Sequence, residues 1–322
     1  MSAVRDIGAT WELLVEAQQR HQTNFGEAVN DYRHGFGVVL DSEIDRVAET
    51  FAGEAPLRGV LTPLASRMRD YVRWLRWSAW LGTQLPPPLE LLSRSDQLRH
   101  AVAVLTYLGA RLVDDGIDGH LHYKNKRNTL VADILALFPH CDEAAARCHS
   151  ALVGFWLLNY GHRRMRQIGE TRTADTIVRL FANIPRGVLA ESADSSDDRA
   201  VYDAIVQHKS VAYDMLLYQS ILAPLEDAHR TVLLRALATT SSVAQYLNDI
   251  ADRNDDAGRG QPNVVLRWFD RSEDVTRCCL ERIEEALHGL QSVDAAERDA
   301  VAAIMTEVFQ SARTLWGVEE RD

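Results

Sequence analysis

The chain has 322 residues, 46% of them hydrophobic and 25% charged, and that balance describes a globular protein rather than a disordered one. A net charge of −11 leaves no basic stripe to neutralise a run of nucleic-acid phosphates, so a nucleic-acid partner is excluded. No apolar run reaches the length of a membrane span, and Met1–Arg20 carries charges throughout, so neither stable membrane insertion nor a signal peptide is expected.

In chain order, residues 1–33 read as one or two polar helices, with residues 1–40 as a candidate N-terminal helical extension. Gly35, Gly37 and the Asp41, Ser42, Glu43 sequence predict a break and a new helix capped by Asp41 or Ser42. Residues 64–83 are rich in Trp and Arg (Arg67, Arg69, Arg73, Trp74, Arg76, Trp77, Trp80) with apolar positions at helical spacing, the pattern of buried packing with snorkelling arginines or, alternatively, of a basic face aimed at a phosphate. Three consecutive prolines, Pro86–Pro88, separate this from a helix over about Ser95–Asp118. A polar loop, Gly119–Thr129, follows, then a helix over 143–168 that ends in His162, Arg163, Arg164 and Arg166, cations suited to a helix C-terminus.

Residues 174–194 are helical with a kink or break expected at Pro185. Val201–Leu222 reads as a long helix carrying His208 and Lys209, and Ala228–Asp252 as the next. Helices over Ser272–Gly289 and Asp294–Leu315 close the chain. No segment alternates with period two between turn signals, so the fold class is all-α, with 1–322 as a single domain. The four cysteines, Cys141, Cys148, Cys278 and Cys279, form no zinc pattern, and reduced thiols in a cytoplasmic protein are the expectation.

Two acidic stretches stand out. Asp114, Asp115 and Asp118 end the apolar run of Val102, Val104, Leu105, Leu108 and Leu112, and Asp114 and Asp118 share one helix face. Far downstream, Asn248, Asp252 and Asp256 fall at i, i+4 and i+8, with Asp249 to the side and Gln245 one turn earlier. The helix dipole disfavours negative charge at a C-terminus, and both stretches break that rule. Converging hard oxygen ligands of this kind suit Mg²⁺, which keeps several waters and shares its remaining positions with substrate phosphates.

These residues resemble the trans-prenyltransferase and class I terpene synthase superfamily. The resemblance rests on the acidic motif at 114–118, on Lys209 and Ser210 in place of a Lys-Thr motif, and on Gln245–Asp252. Ala190–Asp194 is a weak match to the family's Gly-Gln-x-x-Asp. It spans roughly residues 40–270 and implies the all-α isoprenoid synthase fold, with two acidic motifs facing across a central cavity.

The implied mechanism is Mg²⁺-dependent ionisation of an allylic prenyl diphosphate. Asp114 and Asp118 would bind two Mg²⁺, with Asp115 behind them. Asn248, Asp252 and Asp256, or alternatively Asp249 and Asp252, would bind a third. Lys209 would meet a diphosphate oxygen as a point charge, with Arg253 and Arg259 as further cations and Gln245 orienting a carboxylate. Members of the family commonly form homodimers.

The sequence departs from the elongating members. Their Gly-Gly-Lys-x-x-Arg-Pro motif, which binds isopentenyl diphosphate, is reduced to one Arg and one Pro in Leu57–Pro63, and their paired Arg falls at Tyr123 and Lys124. A diphosphate lacking those cations would be held poorly. The expectation is therefore a terpene cyclase on a prenyltransferase-like scaffold, folding one allylic cation inside an aromatic cavity. The alternative is a trans-prenyltransferase, either an elongase or one using a different acceptor. Tyr107, Phe155, Trp156, Tyr213 and Tyr246 lie near the motifs, with ordinary core packing as their default role. Small residues at Gly109 and Ala110, one turn before Asp114, suggest a deep cavity and a C15–C20 substrate.

Overall fold

The computed structural model describes residues 7–53, 55–75, 93–123, 127–193, 198–259, 263–269 and 271–315. The helices in order are α1 (Ile7–Ala52), α2 (Ala55–Leu75), α3 (Arg94–Asp118), α4 (Leu130–Leu137), α5 (Glu143–Gln167), α6 (Thr171–Ala193) and α7 (Arg199–Val206). A π-helical turn, Gln207–Val211, joins α7 to α8 (Ala212–Ile221). Then come α9 (Asp227–Arg259), α10 (Val264–Trp268), α11 (Ser272–Gly289) and α12 (Ala295–Leu315). The all-α class holds. One departure is a two-residue antiparallel ladder, His122–Tyr123 with Arg127–Asn128, where a plain loop is predicted. The segment with Trp77 and Trp80, and the triple proline, lie outside the described residues.

The break predicted near Gly35 is absent, because α1 runs through it. Gly35 is a packing residue instead: a Cβ there would sit 3.3 Å from the Gln97 amide nitrogen on α3. Asp41 and Ser42 therefore cap nothing, and their neighbour Glu43 is buried in an ion pair described below. Likewise α6 continues through Pro185.

The chain divides into two compact units, residues 31–75 with 93–178, and residues 7–30 with 179–315. In the first, Val102, Leu105, Leu108 and Leu112 of α3 are fully buried together with Leu157 of α5 and Ile134 of α4. Helices α3 and α5 run antiparallel and touch backbone to backbone along a seam of glycines spaced seven apart, Gly109 and Gly116 against Gly154 and Gly161. A Cβ on Gly154 would lie 2.6 Å from the Gly109 carbonyl, and one on Gly116 would lie 2.7 Å from the Arg147 carbonyl. Only residues without a Cβ let two helices approach this closely.

In the second unit the core gathers Leu14 of α1, Tyr202 of α7, Leu237 and Tyr246 of α9, Val275 and Ile283 of α11, and Ile304 and Met305 of α12. The N-terminal half of α1 is fastened to α12 by Arg20, which forks onto Asp299 at 3.0 and 3.1 Å, and by Thr306 donating to the Leu14 carbonyl at 3.1 Å.

Candidate active site

The first acidic stretch is the C-terminal turn of α3, in the first unit. Asp114 and Asp115 are buried, while Asp118 is half-buried. Arg111 stands 3.4 Å from Asp114 Oδ2 and 3.8 Å from Asp115 Oδ1, and His120 Nδ1 stands 3.6 Å from Asp115. Gly119 ends the helix in a left-handed conformation (φ 71°) and returns its N–H to the Asp115 carbonyl. Arg147 of α5 covers this terminus. Its Nε donates to the Gly116 carbonyl at 3.1 Å and its Nη2 to the Ile117 carbonyl. The guanidinium thus satisfies orphan carbonyls and offsets the negative end of the helix dipole beside the carboxylates. Ser150 adds a bond to the Leu112 carbonyl at 3.1 Å.

The second stretch occupies the last turns of α9, in the other unit. Asp249 is buried and fully engaged: Gln245 Nε2 donates to its Oδ1 at 2.9 Å, and the Val264 N–H (2.7 Å) and the Tyr202 hydroxyl donate to its Oδ2. Burial pushes its carboxyl up to about 7 against the pull of those hydrogen bonds, and nearby Asp256 adds to the rise. Gln245 in turn accepts from Ser210 at 2.9 Å. Asn263, fully buried, is the hinge of the network. Its amide donates to the Asp249 carbonyl (2.8 Å) and to Asp256 Oδ2 (2.7 Å), while its oxygen caps α10 through Val265 and Leu266. Asn248, less buried, donates to Asp252 Oδ2 at 2.8 Å.

Lys209 sits on the π-helical turn, a local widening of the kind that recurs at functional sites. Gly187 of α6 lies directly beneath it, since a Cβ there would fall 2.7 Å from the Lys209 nitrogen. The Lys209 ammonium pairs with Glu191 of α6 at 2.7 Å.

No protein-family model and no curated protein matches the sequence. Solved structures do match. A decaprenyl diphosphate synthase from Rhodobacter capsulatus superposes with a TM-score of 0.63 at 13% identity, over 92% of this chain and 99% of that one. A polyprenyl synthase from Caulobacter crescentus, complexed with calcium and isoprenyl diphosphate, gives 0.60 at 15%, over 91% and 97%. A geranylgeranyl pyrophosphate synthetase from the archaeon Geoglobus acetivorans gives 0.59 at 15%, over 89% and 99%. The chain has the isoprenoid synthase fold.

On that fold the structure brings Gln245, Asp249 and Asp256 into one network and joins Asn248 to Asp252. It gathers no three His, Cys, Asp or Glu side chains into a ready-made metal cluster among the described residues. The oxygen donors present still fit Mg²⁺, which takes few protein ligands and completes its shell with water and phosphate. Arg253 is exposed, and the side chain of Arg259 lies outside the described residues, as do Lys124 and Asp194.

The candidate cavity aromatics divide: Tyr246 is fully buried against Tyr202 and Arg282, whereas Phe155 is 55% exposed. Gly109 is a correction. Its smallness serves the seam with α5, so it says nothing about cavity depth. Tyr202, Asn263 and Arg147 escape the sequence reading because their partners lie 47, 14 and 31 residues away.

Proposed function

We propose that this chain is a Mg²⁺-dependent trans-prenyltransferase that ionises an allylic prenyl diphosphate and passes the prenyl group to an acceptor. The observation that carries the proposal is an acidic stretch near each of two helix C-termini, in the order the prenyltransferases use, on a chain with their fold. The solved structures it resembles are named as prenyl diphosphate synthases, and this favours prenyl transfer over the cyclase expected from the sequence.

Asp114 and Asp118 on α3, and Asn248, Asp252 and Asp256 on α9, are the proposed Mg²⁺ ligands. Bound there, the metal neutralises the leaving diphosphate so that an allylic C–O bond can break at neutral pH. Asp249 is assigned a bracing role, because its oxygens already accept three hydrogen bonds. Lys209 would exchange its bond to Glu191 for a diphosphate oxygen, and Glu191 holds the ammonium in position until then. Arg147 and Arg111 keep the buried carboxylates of the first stretch from repelling one another open.

The cyclase reading is retained as a second possibility on a specific observation. Asn248 pairs with Asp252 at 2.8 Å while Asp249 is sequestered, so the outward set resembles a cyclase triad more than an elongase pair. The chain also keeps only Arg58 among the elongase cations in Leu57–Pro63.

Incubation with Mg²⁺ and C10, C15 or C20 allylic diphosphates, each with and without isopentenyl diphosphate, separates the readings. Products are read by mass spectrometry before and after phosphatase treatment. Longer diphosphates only with isopentenyl diphosphate establish the elongase form. A hydrocarbon or terpene alcohol from a single allylic substrate establishes the cyclase. Unchanged substrate in both arms redirects the search to a different acceptor, and no consumption with any acceptor overturns the proposal.

A further inference from the structure

Away from both acidic stretches, the first unit contains a groove of about 240 Å³ between the C-terminal half of α1 and the last three turns or so of α5, lined by Arg46, Trp156, Asn159, Tyr160, Arg163 and Arg164. Asn159, Arg163 and Gln167 follow one another at i+4 along α5, as do Trp156, Tyr160 and Arg164, so two adjacent rows of one helix face build the wall. The basic cluster at the end of α5, read from sequence as a simple answer to the helix dipole, is here drawn into a built arrangement.

Glu43, 3% exposed, organises it. Its Oε1 accepts from Arg46 Nε (3.1 Å) and Arg164 Nη2 (2.9 Å), and its Oε2 accepts from Arg164 Nε (3.0 Å) and the Tyr160 hydroxyl (3.5 Å). Two bonds fix the Arg164 guanidinium plane and one tethers Arg46, and the remaining N–H groups of each can meet a ligand. Arg163 forms no ion pair among the described residues, so one carboxylate, paired with Arg46 and Arg164, stands against three guanidiniums and the groove keeps an excess of two positive charges. That excess sits in a protein of net charge −11, and among the described residues no other carboxylate lines the groove. The α5 wall also carries an aromatic strip: Trp156 and Tyr160 are stacked with centroids 5.7 Å apart, and Phe51 of α1 meets Trp156 edge-on at 4.9 Å.

We infer that this groove is an anion site for a phosphate- or diphosphate-class ligand. Guanidinium forks match phosphoryl oxygens in a planar, bidentate way that ammonium groups do not. One pre-oriented fork, a tethered second and a third guanidinium suit a diphosphate better than a single phosphate. The ligand is either free inorganic diphosphate or the diphosphate head of a prenyl ester, whose first carbons would lie on the Trp156 and Tyr160 rings.

The site uses no metal, and this gives the test its selectivity. In EDTA the acidic stretches repel a diphosphate, and the net charge of the protein opposes adventitious binding. Inorganic phosphate, inorganic diphosphate and geranyl diphosphate would be titrated into the intact protein by calorimetry, with tryptophan fluorescence as a parallel readout and Trp156→Phe as its control. Saturable metal-free diphosphate binding is expected, tighter than phosphate binding, weakened at least tenfold by Arg46→Gln or Arg163→Gln and unchanged in Asp114→Asn. Both arginines are exposed, so a thermal melt close to wild type should accompany each loss. Geranyl diphosphate binding more than tenfold tighter than inorganic diphosphate identifies the ester as occupant, and equal affinities identify the free anion. No saturable binding, or binding that persists in the Arg46→Gln/Arg163→Gln double variant, overturns the site. Neither result bears on the metal-dependent reaction, which fails or succeeds in a separate assay.

Discussion

Asp249 allows the two candidate metal-ligand sets of α9 to be told apart without any turnover measurement. Its carboxyl is raised to about 7 in the folded protein by burial, against an ordinary value near 3.9 in the unfolded chain. Between those values the native state holds a proton that the unfolded state has lost. Stability from this group is therefore full below about pH 4 and falls as pH rises towards 7, at up to about 1.4 kcal/mol per unit. From pH 5 to pH 7 the loss is roughly 2–3 kcal/mol. Asp249→Asn keeps an oxygen for Tyr202 and the Val264 N–H but has no proton to lose, so its stability should lack this component. The assay is urea denaturation of both proteins in metal-free buffer at half-unit steps, reading the wild-type minus variant difference so that every other titrating group cancels. A difference that stays flat across pH 5–7 refutes the reasoning. Repeating the series in saturating Mg²⁺ decides the ligand set. If Asn248, Asp252 and Asp256 hold the ion, the slope persists, because Asp249 stays buried under its hydrogen bonds. If Asp249 coordinates, its pKa falls and the slope disappears.

Three further expectations follow from the same geometry. Gly154→Ala places a Cβ 2.6 Å from the Gly109 carbonyl and 2.8 Å from the Val113 nitrogen, both backbone atoms, so α3 and α5 must part. Overpacking of about 1–3 kcal/mol should outweigh the roughly 1 kcal/mol that alanine gains in a helix, whereas Gly37→Ala, with nothing within 4 Å, should stabilise by about 0.5–1 kcal/mol. Equal melting shifts for the two would dissolve the seam argument. Arg147→Met keeps the stem but removes two bonds to the end of α3, and should cost about 1–3 kcal/mol in denaturant while raising the Mg²⁺ concentration needed for half-maximal turnover. An unchanged Mg²⁺ requirement would make its role purely structural. Asp114→Ala should abolish turnover with little loss of helicity by circular dichroism, and near-normal activity would remove it from the ligand set.

The helices were legible wherever a buried stripe sets the period. The spans predicted at 95–118, 143–168 and 272–289 lie within a residue or so of Arg94–Asp118, Glu143–Gln167 and Ser272–Gly289. Local signals misled where tertiary contact gives a residue another purpose. Gly35 and Gly37 look like a helix break, yet α1 runs through both: Gly35 abuts the Gln97 side chain, and Gly37, with nothing within 4 Å of its Cβ position, is carried at the usual cost of a helical glycine. The π-helical turn under Lys209 inserts one residue into a helix without disturbing its apolar pattern over the flanking turns, so periodicity could not register it.

The site was legible only in part, for a reason visible in its second stretch. Periodicity places Asn248, Asp252 and Asp256 on one face and Asp249 to the side, and it says no more than that. What separates them chemically is what reaches in from elsewhere. Tyr202 from α7, Val264 from α10 and Gln245 from the preceding turn saturate Asp249, while Asn263 ties Asp256 to the Asp249 backbone. A motif fixes which oxygens exist, and the surrounding donors decide which of them are left for a cation. The same logic disposes of Gly109. A small residue one turn from a proposed metal-binding carboxylate reads as open space when only its own helix is considered, and as close packing once α5 is laid against it. Substrate length must therefore be sought at residues that no neighbouring backbone already occupies.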